Sequence, residues 1–259
     1  MTETIFMIHG MWGGSWCWDN YKTFFEKKGY HCITTTLRHH DINPTAPPDS
    51  MLGTTSLLDY VNDLEQEILQ LDTKPIVMGH SMGGLLAQIL ASRDLAKALV
   101  LLTPAAPSGI LSLSPSSIKS FWSVLTKWGF WKIPNRQNFN EAVYSLLHLM
   151  PADQQKTIFD KFVYESGRAA TEIGFSFLDP YKTASVDASK VTCPVLVIAG
   201  SEDRLTPAVV VEKIAKKYEP LSTYKCFDDH AHWIIGEPGW QEIAGFVSAW
   251  LDDVLIIKN

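Results

Sequence analysis

Gly79-His80-Ser81-Met82-Gly83-Gly84 sets a serine between an apolar run, Pro75 to Met78, and an amphipathic stretch, Leu85 to Ser92. A serine on the tight turn between a strand and a helix is held in a strained backbone conformation, and small residues on both sides let strand and helix approach without a Cβ clash. The chemistry served by such a turn is nucleophilic attack. The G-x-S-x-G spacing alone is a frequent pattern. The preceding strand, the following helix and the second glycine, Gly84, distinguish it from a glycine-rich turn with no chemical role.

The elements needed to hold that serine are legible along the chain. Short apolar, β-branched runs at Ile5 to Ile8, His31 to Leu37, Pro75 to Met78, Ala98 to Leu102, Pro194 to Ala199 and Thr223 to Phe227 alternate with helical patterns. Such alternation predicts an α/β fold whose mostly parallel sheet is flanked by helices. One helix is marked by Leu57, Leu58, Val61, Leu64, Ile68 and Leu71, an apolar stripe that follows the start signal Thr54-Thr55-Ser56. From Pro104 to about Lys190 the rhythm breaks into a segment with no clear strand, rich in Trp122, Trp128, Trp131, Phe121 and Phe130. The expected organisation is a core domain, 1–103 and 191–259, with a helical lid, 104–190, inserted after the strand at 98–102. A segment inserted there can fold over the carboxyl ends of the strands, where open α/β sheets place their sites. Most of its aromatic residues are expected to pack a small core of their own.

Composition narrows the function classes. The 259 residues are 46% hydrophobic and 19% charged, enough to bury a large core. A net charge of −6 without a Lys/Arg cluster argues against a nucleic-acid or anionic-membrane partner. No apolar run approaches the ~20 residues of a membrane span. Met1-Thr2-Glu3-Thr4 runs directly into Ile5-Phe6-Met7-Ile8 without a signal-peptide pattern, which predicts a cytoplasmic protein. Cys17, Cys32, Cys193 and Cys226 have no C-x-x-C spacing and are expected to be buried reduced thiols. His31, His39, His40 and His148 lack ligand spacing and are read as loop or surface residues, so neither a metal nor a cofactor is expected.

Several motifs, in one order, resemble the α/β-hydrolase fold superfamily over nearly the whole chain. His9-Gly10-Met11-Trp12-Gly13-Gly14 resembles the H-G-x oxyanion turn, and Gly79 to Gly84 resembles the nucleophile elbow. Gly200-Ser201-Glu202-Asp203 resembles the acid loop, and His230-Ala231-His232-Trp233 followed by Glu237-Pro238 resembles the histidine loop. Leu37-Arg38-His39-His40-Asp41 departs from the family's glycine-containing loop at that place. The compact start is similar to the plant methylesterase and hydroxynitrile lyase group, and Met11 and Met82 to the cofactor-free haloperoxidase and esterase group.

The resemblance implies a Ser81-His232-Asp203 triad, in the superfamily's chain order. Ser81 attacks a carbonyl carbon, His232 takes and returns its proton, and Asp203 orients the imidazole. The oxyanion would meet the backbone N–H groups of Met11 and Met82. His230 is the rival base, otherwise a solvated loop residue beside Asp228 and Asp229, and Glu202 is the rival acid. His80 is expected to pack under the turn and His9 to hydrogen-bond the oxyanion loop. Trp12 is placed to wall a substrate pocket, whereas Trp16 and Trp18 are expected on the following helix, in the core. The implied activity is hydrolysis of a small, partly apolar carboxylic ester by a monomer or homodimer. Thioesterase, lactonase, amidase and carbon–carbon hydrolase activities would use the same triad, and a ligand receptor that has lost turnover is the alternative of a different class. A serine at the elbow argues against dehalogenase or epoxide hydrolase chemistry, which places a carboxylate there. Hydroxynitrile lyase chemistry needs a nearby cation, for which Lys119, Lys127 and Lys132 are the candidates in the lid.

Overall fold

In the computed structural model, which describes residues 2–256, the central aliphatic runs form the strands of one sheet because they are hydrophobic at nearly every position and can be buried on both faces, whereas the edge runs at 31–34 and 222–227 carry polar residues and stay partly exposed. The strands are β1 (Thr4–Ile8), β2 (His31–Thr34), β3 (Ile76–His80), β4 (Ala98–Leu102), the two-residue β5 (Pro134–Asn135) and β6 (Glu165–Ser166), β7 (Val195–Gly200) and β8 (Ser222–Phe227). The helices are α1 (Asp19–Lys27), α2 (Leu57–Ile68), α3 (Met82–Ser92), α4 (Pro115–Ser120), α5 (Trp122–Leu125), α6 (Phe139–Ala142), α7 (Ala152–Phe159), α8 (Gly167–Gly174), α9 (Ala208–Lys217) and α10 (Trp240–Ile256). Six strands pair in parallel in the order β2-β1-β3-β4-β7-β8. No helix among the described residues is long and apolar enough to cross a membrane.

Alternate residues of each strand feed opposite faces of the sheet. Phe6, Ile8, Val77, Leu99 and Val197 join one core, covered by α2, α3 and α9. Ile5, Met7, Met78, Val100 and Ile198 join the other, covered by α1 and α10. α2 begins at a capping box in which the Ser56 side chain and Asp59 satisfy each other's backbone N–H groups. Its stripe of Leu57, Tyr60, Val61, Leu64 and Ile68 is buried, and each such apolar side chain contributes roughly 1.5–3 kcal/mol of transfer free energy. β2 ends at Thr34, short of the Leu37 expected from the sequence, because the chain then turns so that the Leu37 N–H can donate to the His9 ring. Trp16 and Trp18 lie on a 3-10 turn, Ser15–Trp18, before α1 and not within it. Trp18 is in the core as expected.

Between β4 and β7 the chain forms α4 to α8, a π-helical turn at Val143–Leu147, and the short antiparallel β5–β6 pair that the sequence did not betray. Buried polar contacts tie this segment to the rest. The Glu172 carboxylate accepts from the Ser56 hydroxyl at 2.9 Å and from the Leu57 N–H at 2.8 Å, an anion at the N-terminus of α2. Glu165 accepts from the Tyr60 hydroxyl at 2.7 Å, from the Ser166 N–H at 2.6 Å and from His40 Nε2 at 3.1 Å. His40 is therefore not the loop or surface residue expected. Its side chain is fully buried, and its second ring nitrogen donates to the Arg38 carbonyl at 2.9 Å. Burial opposes its charge, but the Glu165 carboxylate outweighs burial and raises the His40 pKa. The same pairing lowers that of Glu165 against the cost of its own burial.

Removing one partner of such a pair leaves a buried charge alone. Glu165→Gln is expected to cost about 3–5 kcal/mol in urea unfolding near neutral pH. The raised His40 contributes stability that is complete below the ordinary histidine range and lost as pH rises through its folded value. The lowered Glu165 contributes stability that is complete above the ordinary carboxylate range and lost as pH falls through its folded value. The advantage of the parent over a His40→Asn/Glu165→Gln double variant should thus be greatest between about pH 4.5 and 6.5. A difference that stays flat from about pH 3 to about pH 9 would show an uncharged pair.

Candidate active site

Ser81 sits between β3 and α3 with φ +54° and ψ −121°, a conformation that side chains other than glycine rarely adopt. It is enforced by close packing. A Cβ on Gly79 would lie 2.2 Å from the Gly83 carbonyl oxygen, and one on Gly83 would lie 2.2 Å from that of Ile8, so β1, β3 and α3 meet at a spacing only glycine permits. The Ser81 N–H donates to the Leu102 carbonyl and its carbonyl accepts from the Ala105 N–H, which fixes the turn against the end of β4.

The carboxyl ends of three strands converge on this serine. His232, after β8, presents Nε2 at 2.8 Å from Ser81 Oγ and Nδ1 at 2.8 Å from Asp203 Oδ2. Asp203, after β7, also accepts from the Leu205 and Thr206 N–H groups at 2.8 and 2.9 Å and from the Thr206 hydroxyl at 2.8 Å. A carboxylate so satisfied is held as an acceptor for Nδ1–H, which leaves the Nε2 lone pair free to accept the serine proton. All three side chains are buried. Thr206 was not singled out from the sequence, although Asp203-Arg204-Leu205-Thr206 has the spacing of an aspartate turn that caps its own backbone.

The other histidines have separate partners. His80 Nε2 donates to the His232 carbonyl at 2.8 Å, and burial, with His232 close by, lowers its pKa to about 3, so it braces the histidine loop as a neutral ring. His230 corrects the expectation of a solvated loop residue. It is buried, with Nδ1 2.9 Å from Glu237 Oε1, an atom that also accepts from the Ala231 N–H. The pairing turns His230 away from Ser81. Glu202, Asp228 and Asp229 are exposed. His9 donates from Nδ1 to the Gly10 carbonyl at 2.7 Å and accepts the Leu37 N–H at 3.1 Å, and burial lowers its pKa to about 3. Gly10 is pressed against the elbow, since a Cβ there would lie 2.9 Å from that of Ser81. Met11 follows directly, and Met82 is the first residue of α3, whose N–H has no acceptor within the helix. Neither N–H donates a hydrogen bond among the described residues.

A cavity opens over Ser81, with about 980 Å³ of space when the part open to solvent is counted. Met11, Trp12, Met82, Leu205 and Trp233 wall it from the sheet side, and Ile118, Phe121, Leu125, Phe130, Leu146 and Phe175 from segment 104–190. Trp12 is buried, donates from Nε1 to the Asn135 carbonyl at 3.2 Å and packs its ring 5.5 Å from Phe121. No Lys, Arg, Asp or Glu among the described residues lines the cavity. Lys119 lies over the Tyr144 ring, and Lys127 and Lys132 are exposed. The expectation that the aromatics of the segment pack a core of their own needs correction. Phe121 and Phe130 face the cavity, and Trp122 and Trp128 are exposed to solvent, 61% and 92%, because the short helices here are too few to cover them.

The model of the alpha/beta hydrolase family matches residues 5–244. The chain belongs to this family. Relatives of this α/β hydrolase include methylesterase 4 of Arabidopsis thaliana, 36% identical over 87 residues that make up 32% of this chain and 31% of the relative. The chain thus spans about a third of the length of the methylesterases it matches. A putative esterase/lipase 2 of Mycoplasma pneumoniae is 26% identical over 80% of this chain and 74% of the relative. Among solved structures, a methylesterase from Arabidopsis superposes with a TM-score of 0.69 at 15% identity, covering 96% of this chain and 98% of the other. A pyrethroid hydrolase from Sphingobium faniae JZ-2 superposes with 0.72 at 16% identity, covering 97% and 98%. At these identities the superpositions establish the fold, and it is the expected one.

Gly83→Ala tests the elbow. Its methyl group would meet the backbone of β1, and the expected loss is at least about 1–3 kcal/mol in urea unfolding. A variant as stable as the parent would show that the spacing is slack.

Proposed function

We propose that this α/β hydrolase is a serine esterase that cleaves a small, partly apolar carboxylic ester through an acyl-enzyme. The observation that carries the reading is the His232 ring held at 2.8 Å from both Ser81 and Asp203 beneath an apolar cavity. In this reading Ser81 Oγ attacks the ester carbonyl carbon while its proton passes to His232 Nε2. Asp203 stabilises the imidazolium from the other side. The carbonyl oxygen becomes an oxyanion that accepts from the Met11 and Met82 N–H groups, each donor worth about 3–4 kcal/mol at the transition state. Collapse breaks the bond to the alkoxide, which leaves with the proton from His232. Water then attacks the acyl group, gives its proton to His232 and releases the acid and Ser81.

The uncharged cavity supports an ester without a free carboxylate or phosphate near the reacting carbon, because such groups would be buried without a cation. The absence of a lysine or arginine among its lining residues also disfavours a lyase that must stabilise cyanide. Segment 104–190 serves as the lid in this reading, since it supplies the outer wall of the cavity. The relatives named as methylesterases and esterase/lipase support ester cleavage in particular. A reducing, cytoplasmic setting accords with Cys17, Cys32 and Cys226, which no disulfide joins among the described residues, with Cys17 so buried that its thiol is pushed up to about 12.

Turnover of a short-chain aryl ester tests the proposal. Ser81→Ala should fold and lose at least about a thousandfold in kcat/KM, and Asp203→Asn about ten-thousandfold in kcat by leaving His232 in the wrong tautomer. Retention of a tenth of the activity by Ser81→Ala would exclude it.

A further inference from the structure

The outer wall of the cavity continues onto the surface as an unbroken set of aromatic rings. Trp128 packs 5.5 Å from Trp131, Trp131 5.3 Å from Phe130, Phe130 6.2 Å from Phe175 and Phe175 6.4 Å from Phe177. The two middle phenylalanines line the cavity, whereas the ends of the set are in solvent, Trp128 at 92% and Phe177 at 65% exposure. Leu178, next to Phe177, is also exposed. A soluble surface seldom leaves neighbouring large apolar residues uncovered unless something else covers them.

Charge indicates what covers them. Lys127 and Lys132 flank the tryptophans, are exposed and form no ion pair among the described residues. No Asp or Glu stands between Asp94 and Glu141, yet Lys119, Lys127, Lys132 and Arg136 do, while Lys97 is paired with Glu3 at the far end of the sheet. The net charge of −6 thus conceals a segment, 119–136, whose only charged residues are basic. The acids that approach it are engaged by backbone donors. Glu141 accepts from the Ser123 N–H at 2.6 Å, and Asp179 accepts from the Thr183 and Tyr181 N–H groups at 2.7 and 2.9 Å. Protein–protein interfaces are depleted in lysine, whereas tryptophan beside lysine suits the boundary between lipid and water, where the ring enters the acyl region and the ammonium stays among the headgroups.

We infer that the Trp128–Phe177 face, with Lys127 and Lys132, docks on an anionic lipid surface and so brings the mouth of the cavity to that surface. The docking is peripheral and reversible. Aromatic side chains supply the buried area, and the lysines supply attraction that weakens as salt is added.

Co-sedimentation with vesicles tests this without any turnover. The parent should bind vesicles of phosphatidylcholine containing about one third phosphatidylglycerol far better than phosphatidylcholine alone, and the difference should shrink as salt is raised above about 0.1 M. Trp128→Ala/Phe177→Ala and Lys127→Gln/Lys132→Gln should each lower partitioning at least about fivefold while keeping the parent's thermal midpoint. Ser81→Ala should bind as the parent does, which separates this inference from the esterase reading. It is overturned if the parent binds neither vesicle, if both double variants bind as well as the parent, or if the parent is a dimer in solution that Trp128→Ala dissociates, the face then being a contact between two copies.

Discussion

The backbone at Ser81 is the constraint on which the rest depends. A positive φ at a residue with a side chain costs about 1–3 kcal/mol and persists only where its surroundings allow no alternative. Here they are the carbonyl of Ile8 at the end of β1, the N–H of Ala105 after β4 and the first turn of α3, brought together by Gly79 and Gly83. The same packing that strains the serine aims its hydroxyl out of the sheet and leaves the first N–H of α3 beside it. Position and activation of the nucleophile in the proposed reaction therefore share one cause, the close crossing of strand and helix.

Around that turn, one residue type takes different states according to its partners. His9 and His80 are discharged chiefly by burial, His9 with the charged His40 also close by, so each works as a neutral hinge pin that accepts from or donates to the backbone of a loop. His40, equally buried, carries charge because Glu165 compensates it, and it secures segment 104–190 to the sheet domain. His230 is taken up by Glu237, which leaves His232 as the ring between Ser81 and an aspartate. Burial discharges His9 and His80 and opposes the charge on His40. The placement of Glu165, Glu237 and Asp203 decides which imidazole does what.

Much of this was legible in the sequence, and the reasons it was or was not are physical. The four central strands could be read because they are buried on both faces and hence hydrophobic at consecutive positions, as in Val195 to Gly200, and the edge strands β2 and β8 from their shorter mixed runs. Ser81, Asp203 and His232, which the structure links by hydrogen bonds through the His232 ring, were singled out because each occupies a turn at a strand end whose local spacing is constrained. His40 and His230 were misread because their acid partners, Glu165 and Glu237, lie 125 and 7 residues away, and nothing in the local composition distinguishes a buried histidine from a solvated one. The exposed tryptophans were misread for the opposite reason: aromatic residues usually signal a core, and only the fold reveals that α4 and α5 are too short to bury them.

The central claim is that Ser81 is activated by the His232–Asp203 pair, and the most direct measurement is intact mass after brief treatment with a fluorophosphonate. The account predicts one adduct on the parent, none on Ser81→Ala, and labelling slowed by orders of magnitude on His232→Ala. A well-folded parent that takes no adduct, or a His232→Ala variant labelled as fast as the parent, would contradict it.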